Sequence, residues 1–222
     1  MTYFNKPFNT EEQPIEKDRY RLLWAALCPY AHRAVVARKL LGLDNVISLG
    51  TLDYRRGEDG WQFSLDPDGV DPVLKKPTIK SVYNYSEPNY EGPYSVPALV
   101  DLKTEKIVRK ESAEILHEFA TIFKPLHKEG AIDLYPESLA KQIDEWNEKL
   151  AIAVNDGVYG MGFAKTQDEY DLAFNRFFDA LDEVEERLSN QRYINGDSIT
   201  ETDIRFYTTM IRFDVVYYGM YG

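Results

Sequence analysis

Cys28, the single cysteine among 222 residues, is the side chain in this sequence best suited to covalent chemistry. It lies where a predicted strand, residues 20–27, runs into a predicted helix, residues 31–41, and Pro29 follows where a first helical turn tolerates proline. A helix start offers unpaired N–H groups and a partial positive charge, which both favour a thiolate. Because a thiolate is a nucleophile that exchanges with disulfides, we predict a catalytic Cys28. A small core residue is the alternative.

The dipeptide Val96–Pro97 is a second feature, at the beginning of a predicted strand over residues 96–102. Proline breaks the ladder of a central strand, but it is tolerated at a strand start. A cis bond there makes a sharp turn and would direct the carbonyl and N–H of Val96 towards a ligand. An edge-strand proline is the alternative that the sequence leaves open.

Charge is unevenly distributed along the chain, whose net charge is −11. Residues 1–60 carry 9 basic and 8 acidic side chains, whereas residues 131–222 carry 8 basic and 18 acidic ones. This asymmetry predicts two units with different roles, and the acidic half argues against a nucleic-acid partner. No apolar run approaches the roughly 18 residues of a membrane span, and the polar N-terminus is not a secretory signal. We therefore expect a cytoplasmic protein with no membrane partner, in line with its single cysteine.

The predicted elements divide the chain into two domains joined by a linker. Strand–helix–strand followed by strand–strand–helix is typical of a small mixed sheet that carries helices. A long polar segment, rich in Pro, Gly, Asp and Tyr, interrupts it and is expected to be functional, because structureless insertions of this length are uncommon. The predicted boundaries are an N-terminal arm at 1–19, a mixed domain at 20–123 with its insertion at about 53–94, a linker at 124–137 and a helical domain at 138–222.

The helical domain is predicted from apolar residues at helical spacing. Thr200 and Asp203 form a predicted capping box for a third, buried helix. The expected apolar positions of the first two helices are Leu139, Ile143, Trp146, Leu150 and Val154, followed by Leu172, Phe174, Phe178, Leu181, Val184 and Leu188.

Together these features resemble the glutathione transferases. The run Cys28–Arg33, CPYAHR, is similar to the CPWAHR signature of the xi class, the glutathionyl-hydroquinone reductases, with Tyr30 in place of Trp. Further similar segments follow in the family's order: Gly60–Phe63, Ser95–Leu99, Glu111–Ile115, Asn155–Tyr159, Gln191–Tyr193, Thr200–Arg205 and Arg212–Tyr217.

Some positions depart from the family pattern. Ala113 replaces a second serine, and Pro93 stands where the family often has an arginine, whose loss would weaken one glutathione contact. Val100 replaces a frequent aromatic residue. The family usually continues for several tens of residues beyond this point, so we expect the helical domain at 138–222 to be incomplete.

The resemblance implies a thioredoxin-like α/β domain followed by an all-α domain of the glutathione-transferase type. It also implies a homodimer that uses glutathione as co-substrate and reduces aromatic glutathionyl-hydroquinones to hydroquinones. Cys28 would form a mixed disulfide with glutathione, which a second glutathione resolves. One cysteine suffices because the resolving thiol comes from solution.

Site roles follow from the same resemblance. For glutathione, the backbone of Val96, held by Pro97, would pair with its cysteinyl amide. Glu111 would bind its ammonium group, Ser112 would bind its γ-glutamyl carboxylate, and Trp61 would lie against the peptide. Tyr159, expected on a loop, would hydrogen-bond the hydroquinone oxygen and supply a proton to the ring. Without the resemblance, the alternatives are a helix cap for Glu111 and Ser112, a core aromatic for Trp61, and surface packing for Tyr159.

The remaining hypotheses concern other functions. An omega-like thiol transferase or dehydroascorbate reductase would share Cys28, Val96–Pro97 and Glu111–Ser112, and a glutathione-binding protein without turnover is a third possibility. We expect a structural or electrostatic role for His32. His117 and His127 have no metal-ligand spacing with Cys28, so the sequence predicts no metal.

Overall fold

A four-stranded mixed sheet organises the first of the two units into which the chain separates, Met1–Ala131 and Ile132–Gly222. The computed structural model describes residues 4–221. The strands of the first unit are β1, Tyr20–Ala25; β2, Ile47–Leu52; β3, Arg56–Gly57; β4, Gly60–Trp61; β5, Ala98–Asp101; and β6, Lys106–Arg109. Its α-helices are α1, Pro29–Leu40; α2, Ile79–Ser86; and α3, Ser112–Ala120.

Strand β1 lies inside the sheet, whose order is β2-β1-β5-β6. It runs parallel to β2, with Tyr20 opposite Ile47, and antiparallel to β5, with Tyr20 opposite Asp101. Five of its six residues are buried, as expected for a strand that is covered on both faces. This mixed sheet, with a helical second unit after it, confirms the predicted fold class.

The junction between β1 and α1 lies two residues earlier in the chain than predicted. β1 ends at Ala25 rather than at residue 27, and α1 begins at Pro29 rather than at residue 31. Cys28 is therefore the N-cap residue, with extended backbone angles. Helix α1 ends before Gly42, whose φ of 74° is in the left-handed region that favours glycine.

The segment 53–94 is more ordered than predicted. It contains the hairpin β3–β4 and helix α2, which the sequence analysis missed. A capping box between Thr78 and Ser81 begins α2, and its buried residues Ile79, Val82, Tyr83 and Ser86 recur at helical spacing. The segment is therefore part of the folded unit.

The second unit is built from five α-helices in the part of the chain that the structure describes. They are α4, Ala140–Leu150; α5, Gly157–Gly162; α6, Gln167–Asn190; α7, Glu201–Met210; and α8, Tyr218–Tyr221. Two π-helical turns, Ala151–Asn155 and Phe213–Tyr217, follow α4 and precede α8. The Asp203 carboxylate accepts hydrogen bonds from the Thr200 N–H at 2.8 Å and from its hydroxyl at 3.0 Å, which confirms the predicted capping pair.

The apolar face of α6 differs from the prediction. Leu172 is 62% exposed, and Phe174 and Leu188 are each 38% exposed, whereas Phe177 and Ala180 are buried with the correctly predicted Val184. Phe178 and Leu181 are partly buried against the same core, so the predicted stripe is correct in the middle of this 24-residue helix and wrong towards its two ends. No helix within residues 4–221 combines the length and apolar character that a membrane crossing requires.

Tyr20 gives the first unit a testable dependence on alkaline pH. Its side chain is fully buried, its hydroxyl donates to the Pro14 carbonyl at 2.8 Å, and burial raises its pKa to about 12. The unfolded chain ionises this phenol near pH 10, so its contribution is complete below pH 10 and is lost as pH rises towards 12. Between pH 10 and 11 we expect wild type to lose about 1 kcal/mol more free energy of unfolding than Tyr20→Phe.

Urea unfolding at each pH measures this difference. Burial also raises the pKa of Tyr83, so a residual alkaline loss should remain in Tyr20→Phe. Parallel pH curves for the two proteins would contradict the assignment to Tyr20.

Candidate functional site

Cys28 sits at the N-terminus of α1, half-buried, with its sulfur between two backbone groups. The Ala31 N–H donates to Sγ at 3.4 Å, and Sγ lies 3.5 Å from the Val96 carbonyl oxygen, towards which a thiol donates. No acidic residue occupies the first turn of α1. The helix start therefore offers a thiolate an N–H donor and the positive end of a dipole, without a nearby carboxylate in that turn.

His32 and Arg33, near the start of α1, pack against neighbouring side chains. His32 has its ring centroid 5.9 Å from that of Trp24 on β1, and Trp24 donates from Nε1 to the Thr51 hydroxyl at 2.9 Å. Arg33 is buried, with its guanidinium carbon 4.9 Å from the centroid of the Tyr30 ring. The structural or electrostatic role of His32 stays a prediction.

The Val96–Pro97 peptide bond is cis, the conformation that the sequence left open. It immediately precedes β5 and brings the Val96 carbonyl to Cys28. On its other side, Tyr83 donates from its hydroxyl to the Ser95 carbonyl at 3.1 Å. Helix α2 therefore contributes to the placement of the turn beside the sulfur.

Glu111 and Ser112 begin α3, which packs against α1. Glu111 occupies the N-cap position, but its side chain makes no capping hydrogen bond. Its exposed carboxylate instead accepts from the Lys110 ammonium at 2.6 Å. Ser112 is buried at the first helical position, where backbone N–H groups are available to an anion. An acidic group and an anion-binding helix start thus lie side by side.

Trp61 is a core residue of the first unit. It is 7% exposed and belongs to the same apolar cluster as Val96 and Ala31, against which Cys28 packs. The Arg56 guanidinium lies over its ring at 5.1 Å. Trp61 therefore packs in the core, as the alternative prediction stated. Its contact with glutathione stays a prediction.

Tyr159 belongs to the second unit and lies within α5, not on a loop as predicted. A π-helical turn, Ala151–Asn155, follows α4, and the chain continues from it into α5. The chain is therefore helical where the sequence analysis predicted a loop. The Tyr159 hydroxyl oxygen lies 3.2 Å from that of Tyr217, and its ring stacks on Phe163 at 6.3 Å. The phenol is therefore held by aromatic neighbours.

Two residues near the predicted site were not anticipated from the sequence. The capping signal of α2 could have placed Tyr83 on a helix, but its bond to Ser95 depends on tertiary structure. Tyr217 is 58 positions from Tyr159, and no local pattern joins them. Among residues 4–221, no three His, Cys, Asp or Glu side chains are grouped so that they could hold a metal ion.

Comparison with known proteins agrees with this architecture. The model of the glutathione S-transferase N-terminal domain matches residues 27–122, and that of the C-terminal domain matches residues 167–221. Glutathionyl-hydroquinone reductase YqjG of Escherichia coli is 41% identical over 204 residues, 91% of this chain and 62% of the relative. Glutathione S-transferase omega-like 2 of Schizosaccharomyces pombe is 41% identical over 208 residues, 91% of this chain and 66% of the relative.

Solved structures are similar over almost the whole chain. Glutathione transferase Xi 1 from Trametes versicolor has a TM-score of 0.92 and 38% identity, covering 100% of this chain and 78% of that one. Glutathione-bound YqjG from E. coli has a TM-score of 0.89 and 40% identity, covering 97% of this chain and 71% of that one. This chain spans 62% and 66% of the length of the two curated relatives. It belongs to the glutathione transferase family, and to its Xi class.

Proposed function

We propose that this protein reduces glutathionyl-hydroquinones to hydroquinones at the expense of glutathione, with Cys28 as nucleophile. The observation that carries the proposal is the position of Cys28 at the start of α1, with Sγ beside the Ala31 N–H and the Val96 carbonyl. The name of the E. coli relative, glutathionyl-hydroquinone reductase, supports this substrate class. The glutathione in its solved structure supports the co-substrate.

The reaction proceeds in two exchanges at sulfur. The Cys28 thiolate attacks the thioether sulfur, and an S–S bond forms as the bond from sulfur to the ring carbon breaks. The electron pair of that bond goes to the ring carbon, which takes a proton, and free hydroquinone leaves. A second glutathione thiolate then attacks the mixed disulfide, releasing oxidised glutathione and the Cys28 thiolate.

The Val96 carbonyl connects glutathione binding to the state of the sulfur. In the free protein the carbonyl accepts from the Cys28 thiol, which favours the protonated form. When the cysteinyl N–H of glutathione donates to Val96 instead, that preference is removed, while the Ala31 N–H still points at Sγ. Binding of the substrate's glutathionyl group therefore favours the Cys28 thiolate that attacks its thioether sulfur.

Glu111 and Ser112 are proposed to bind the charged γ-glutamyl end of glutathione. Its ammonium group would bind the Glu111 carboxylate, which Lys110 neutralises in the free protein. Its γ-glutamyl carboxylate would bind the Ser112 hydroxyl and the N–H groups at the start of α3.

The Ser112 contact gives a binding prediction. We expect Ser112→Ala to raise the glutathione Kd about 10-fold, because a hydrogen bond to a charged group is removed. Isothermal titration calorimetry measures the change, and Ser138→Ala, an exposed serine of the second unit, is the matched control. Equal Kd values for wild type and Ser112→Ala would contradict the assignment.

Tyr159 is proposed to act on the aromatic half of the substrate. Its hydroxyl would hydrogen-bond a hydroquinone oxygen and deliver the proton that the ring carbon takes. Its ring, stacked on Phe163, offers a flat face to an aromatic ligand.

A thiol transferase is the second candidate, because the same Cys28 geometry would attack a small disulfide and the S. pombe relative is named omega-like. The deciding experiment compares three substrates with excess glutathione: the glutathione adduct of menadiol, a small glutathione disulfide and dehydroascorbate. We expect release of menadiol and oxidised glutathione at a kcat/KM at least about 10-fold above the other two, a margin of about 1.4 kcal/mol. The reverse order would favour the thiol transferase.

Two further proposals concern the oligomeric state and the cellular location of the protein. The family resemblance supports a homodimer, which light scattering on the purified protein tests. A cytoplasmic location stays a prediction from the single cysteine.

A further inference from the structure

Lys110 lies between the end of β6 and the start of α3, beside the carboxylate proposed to bind the ammonium group of glutathione. Its ammonium donates to the Glu111 carboxylate at 2.6 Å, and the two side chains are 21% and 60% exposed. Burial lowers the pKa of Lys110, but the hydrogen bond to Glu111 and its negative charge more than offset this, so the pKa is raised. At neutral pH a cation of the protein therefore occupies the place proposed for the ligand's own cation.

The next two carboxylates along α3 are served by a different cation, Arg109, the last residue of β6. Arg109 donates to Glu118 from Nε at 2.9 Å and from Nη2 at 2.6 Å. Its Nε also lies 3.7 Å from the Glu114 carboxylate. Because Arg109 is buried and engaged by these groups, Lys110 is the cation that neutralises Glu111.

The Tyr90 hydroxyl offers Lys110 a second partner. Tyr90 is 6% exposed, and its hydroxyl donates to the Pro93 carbonyl at 3.1 Å, so its oxygen lone pairs can accept from another group. Burial raises the pKa of Tyr90, and the Lys110 ammonium, which is close enough for a hydrogen bond, opposes that rise. Lys110 therefore keeps an acceptor when the ammonium group of a ligand takes Glu111.

The ion pair determines how much affinity a ligand gains from its own amine. A ligand that carries the amine gains a contact with Glu111 but displaces the contact made by Lys110, so the two changes nearly cancel. A ligand without the amine leaves the Lys110–Glu111 pair in place and loses little. Specificity is the difference between the two affinities, so an internal cation at Glu111 reduces it.

We propose that Lys110 is a specificity-determining residue, an internal cation at Glu111 that lets the protein accept glutathione adducts whose γ-glutamyl group lacks its amine. The substrate class is then wider than adducts of glutathione itself and includes those of deaminated glutathione. The inference rests on the proposed function, because it takes Glu111 as the contact of the ligand's ammonium group.

Two ligands that differ only in the amine test the inference: S-methyl glutathione and its deaminated analogue, S-methyl glutaryl-cysteinylglycine. Neither has a thiol that exchanges at Cys28, and both carry the same carboxylate, so any effect of Lys110 on that carboxylate cancels in the ratio of their Kd values. By isothermal titration calorimetry we expect the two Kd values of wild type to agree within about 5-fold. In Lys110→Met, which keeps an apolar side chain, the ratio of the analogue's Kd to that of S-methyl glutathione should rise about 3–5-fold, the effect of a partly exposed ion pair. Lys141→Met, which removes an exposed lysine 3.8 Å from Glu145, is the matched control and should keep the wild-type ratio.

A double variant shows whether Lys110 acts through Glu111. In a Glu111→Gln background there is no carboxylate for the two cations to share, so Lys110→Met should leave the ratio of Kd values unchanged. The same rise in both backgrounds would overturn the inference. It would also be overturned by an unchanged ratio in Lys110→Met alone, or by a wild type that binds the deaminated analogue more than about 5-fold more weakly.

Binding and turnover separate this inference from the proposed reductase. A wild type that binds both ligands with the expected ratio but releases no menadiol from its glutathione adduct would contradict the reductase and leave the role of Lys110 in place. A wild type that binds neither ligand would overturn the inference together with the proposed glutathione site. Where the glutathione adduct is turned over, the deaminated adduct should follow with a kcat/KM within about 5-fold, and a larger loss would contradict the wider substrate class.

Discussion

Cys28→Ser is expected to lower glutathione-dependent release of hydroquinone by about 10³-fold or more. Serine keeps the size of the side chain and its place at the N-cap, but its hydroxyl does not ionise near neutral pH and is a poor nucleophile towards sulfur. Removing the group that forms the covalent intermediate removes the whole two-step route. Glutathione binding should persist, because the proposed binding groups at Val96, Glu111 and Ser112 remain.

The measurement is a mass-resolved assay with the menadiol adduct and excess glutathione. Wild type should release menadiol, and with the adduct alone its intact mass should show one bound glutathione. Cys28→Ala is the second variant, and it should be as inactive as Cys28→Ser. Its free energy of unfolding should be about 1 kcal/mol below that of Cys28→Ser, because alanine cannot accept a hydrogen bond from the Ala31 N–H. Undiminished turnover in Cys28→Ser would sink the mechanism.

An intact-mass measurement and a thiol-reactivity measurement together separate binding from turnover. A Cys28–glutathione disulfide that forms from added oxidised glutathione, but not from the adduct, would leave the thiol chemistry intact and reject this aromatic substrate. A Cys28 that reacts with iodoacetamide only above about pH 8, as an unperturbed thiol does, would favour a protein that binds glutathione without turnover.

The local structure around the residues proposed to bind glutathione could be predicted because its signals are local. The Cys28–Pro29 helix start and the Glu111–Ser112 helix start are sequence patterns with defined backbone consequences. The Val96–Pro97 bond was left undecided, because proline alone allows both a cis turn and an edge strand. Tertiary contacts, including the Cys28 approach to Val96, accompany the observed cis form.

The remaining features depend on contacts between distant segments. Helix α2 was missed because prolines, glycines and tyrosines around it outweighed the capping signal of Thr78 and Ser81. The ends of the α6 stripe were misassigned because the apolar residues of the helix exceed what one face can bury, and packing alone selects Phe177. The contact of Tyr159 with Tyr217 has no counterpart in local sequence.

Asp71 is expected to be the most important polar residue for stability in the segment 53–94. Its carboxylate is fully buried and accepts from Arg21 on β1 through Nε at 3.1 Å and Nη2 at 2.7 Å. Its second oxygen accepts from the N–H groups of Val73 at 2.9 Å and Leu74 at 2.7 Å. One side chain thus closes a turn of the segment and ties it to the sheet.

Asp71→Asn should lower the free energy of unfolding by about 3–5 kcal/mol, because it leaves the buried Arg21 guanidinium without its counter-charge. Urea unfolding measures the loss. Asp68→Asn is the matched control: Asp68 is exposed with φ of 59°, a conformation that asparagine tolerates, so its effect should stay within about 0.5 kcal/mol. A loss below about 1 kcal/mol for Asp71→Asn would show that the ion pair does not hold the segment.

A double variant, Arg21→Met with Asp71→Asn, distinguishes the buried charge from the turn. Removing both charges should recover part of the stability, because no guanidinium is left unpaired. Recovery should be incomplete, since a buried asparagine amide nitrogen takes the place of the oxygen that accepted from Arg21, and methionine offers it no strong acceptor. The same segment carries Tyr83, which contacts Ser95 beside the cis bond, so variants that loosen it should also weaken glutathione binding. A destabilised Asp71→Asn that still binds glutathione with the wild-type Kd would show that the turn at Val96 does not depend on the segment.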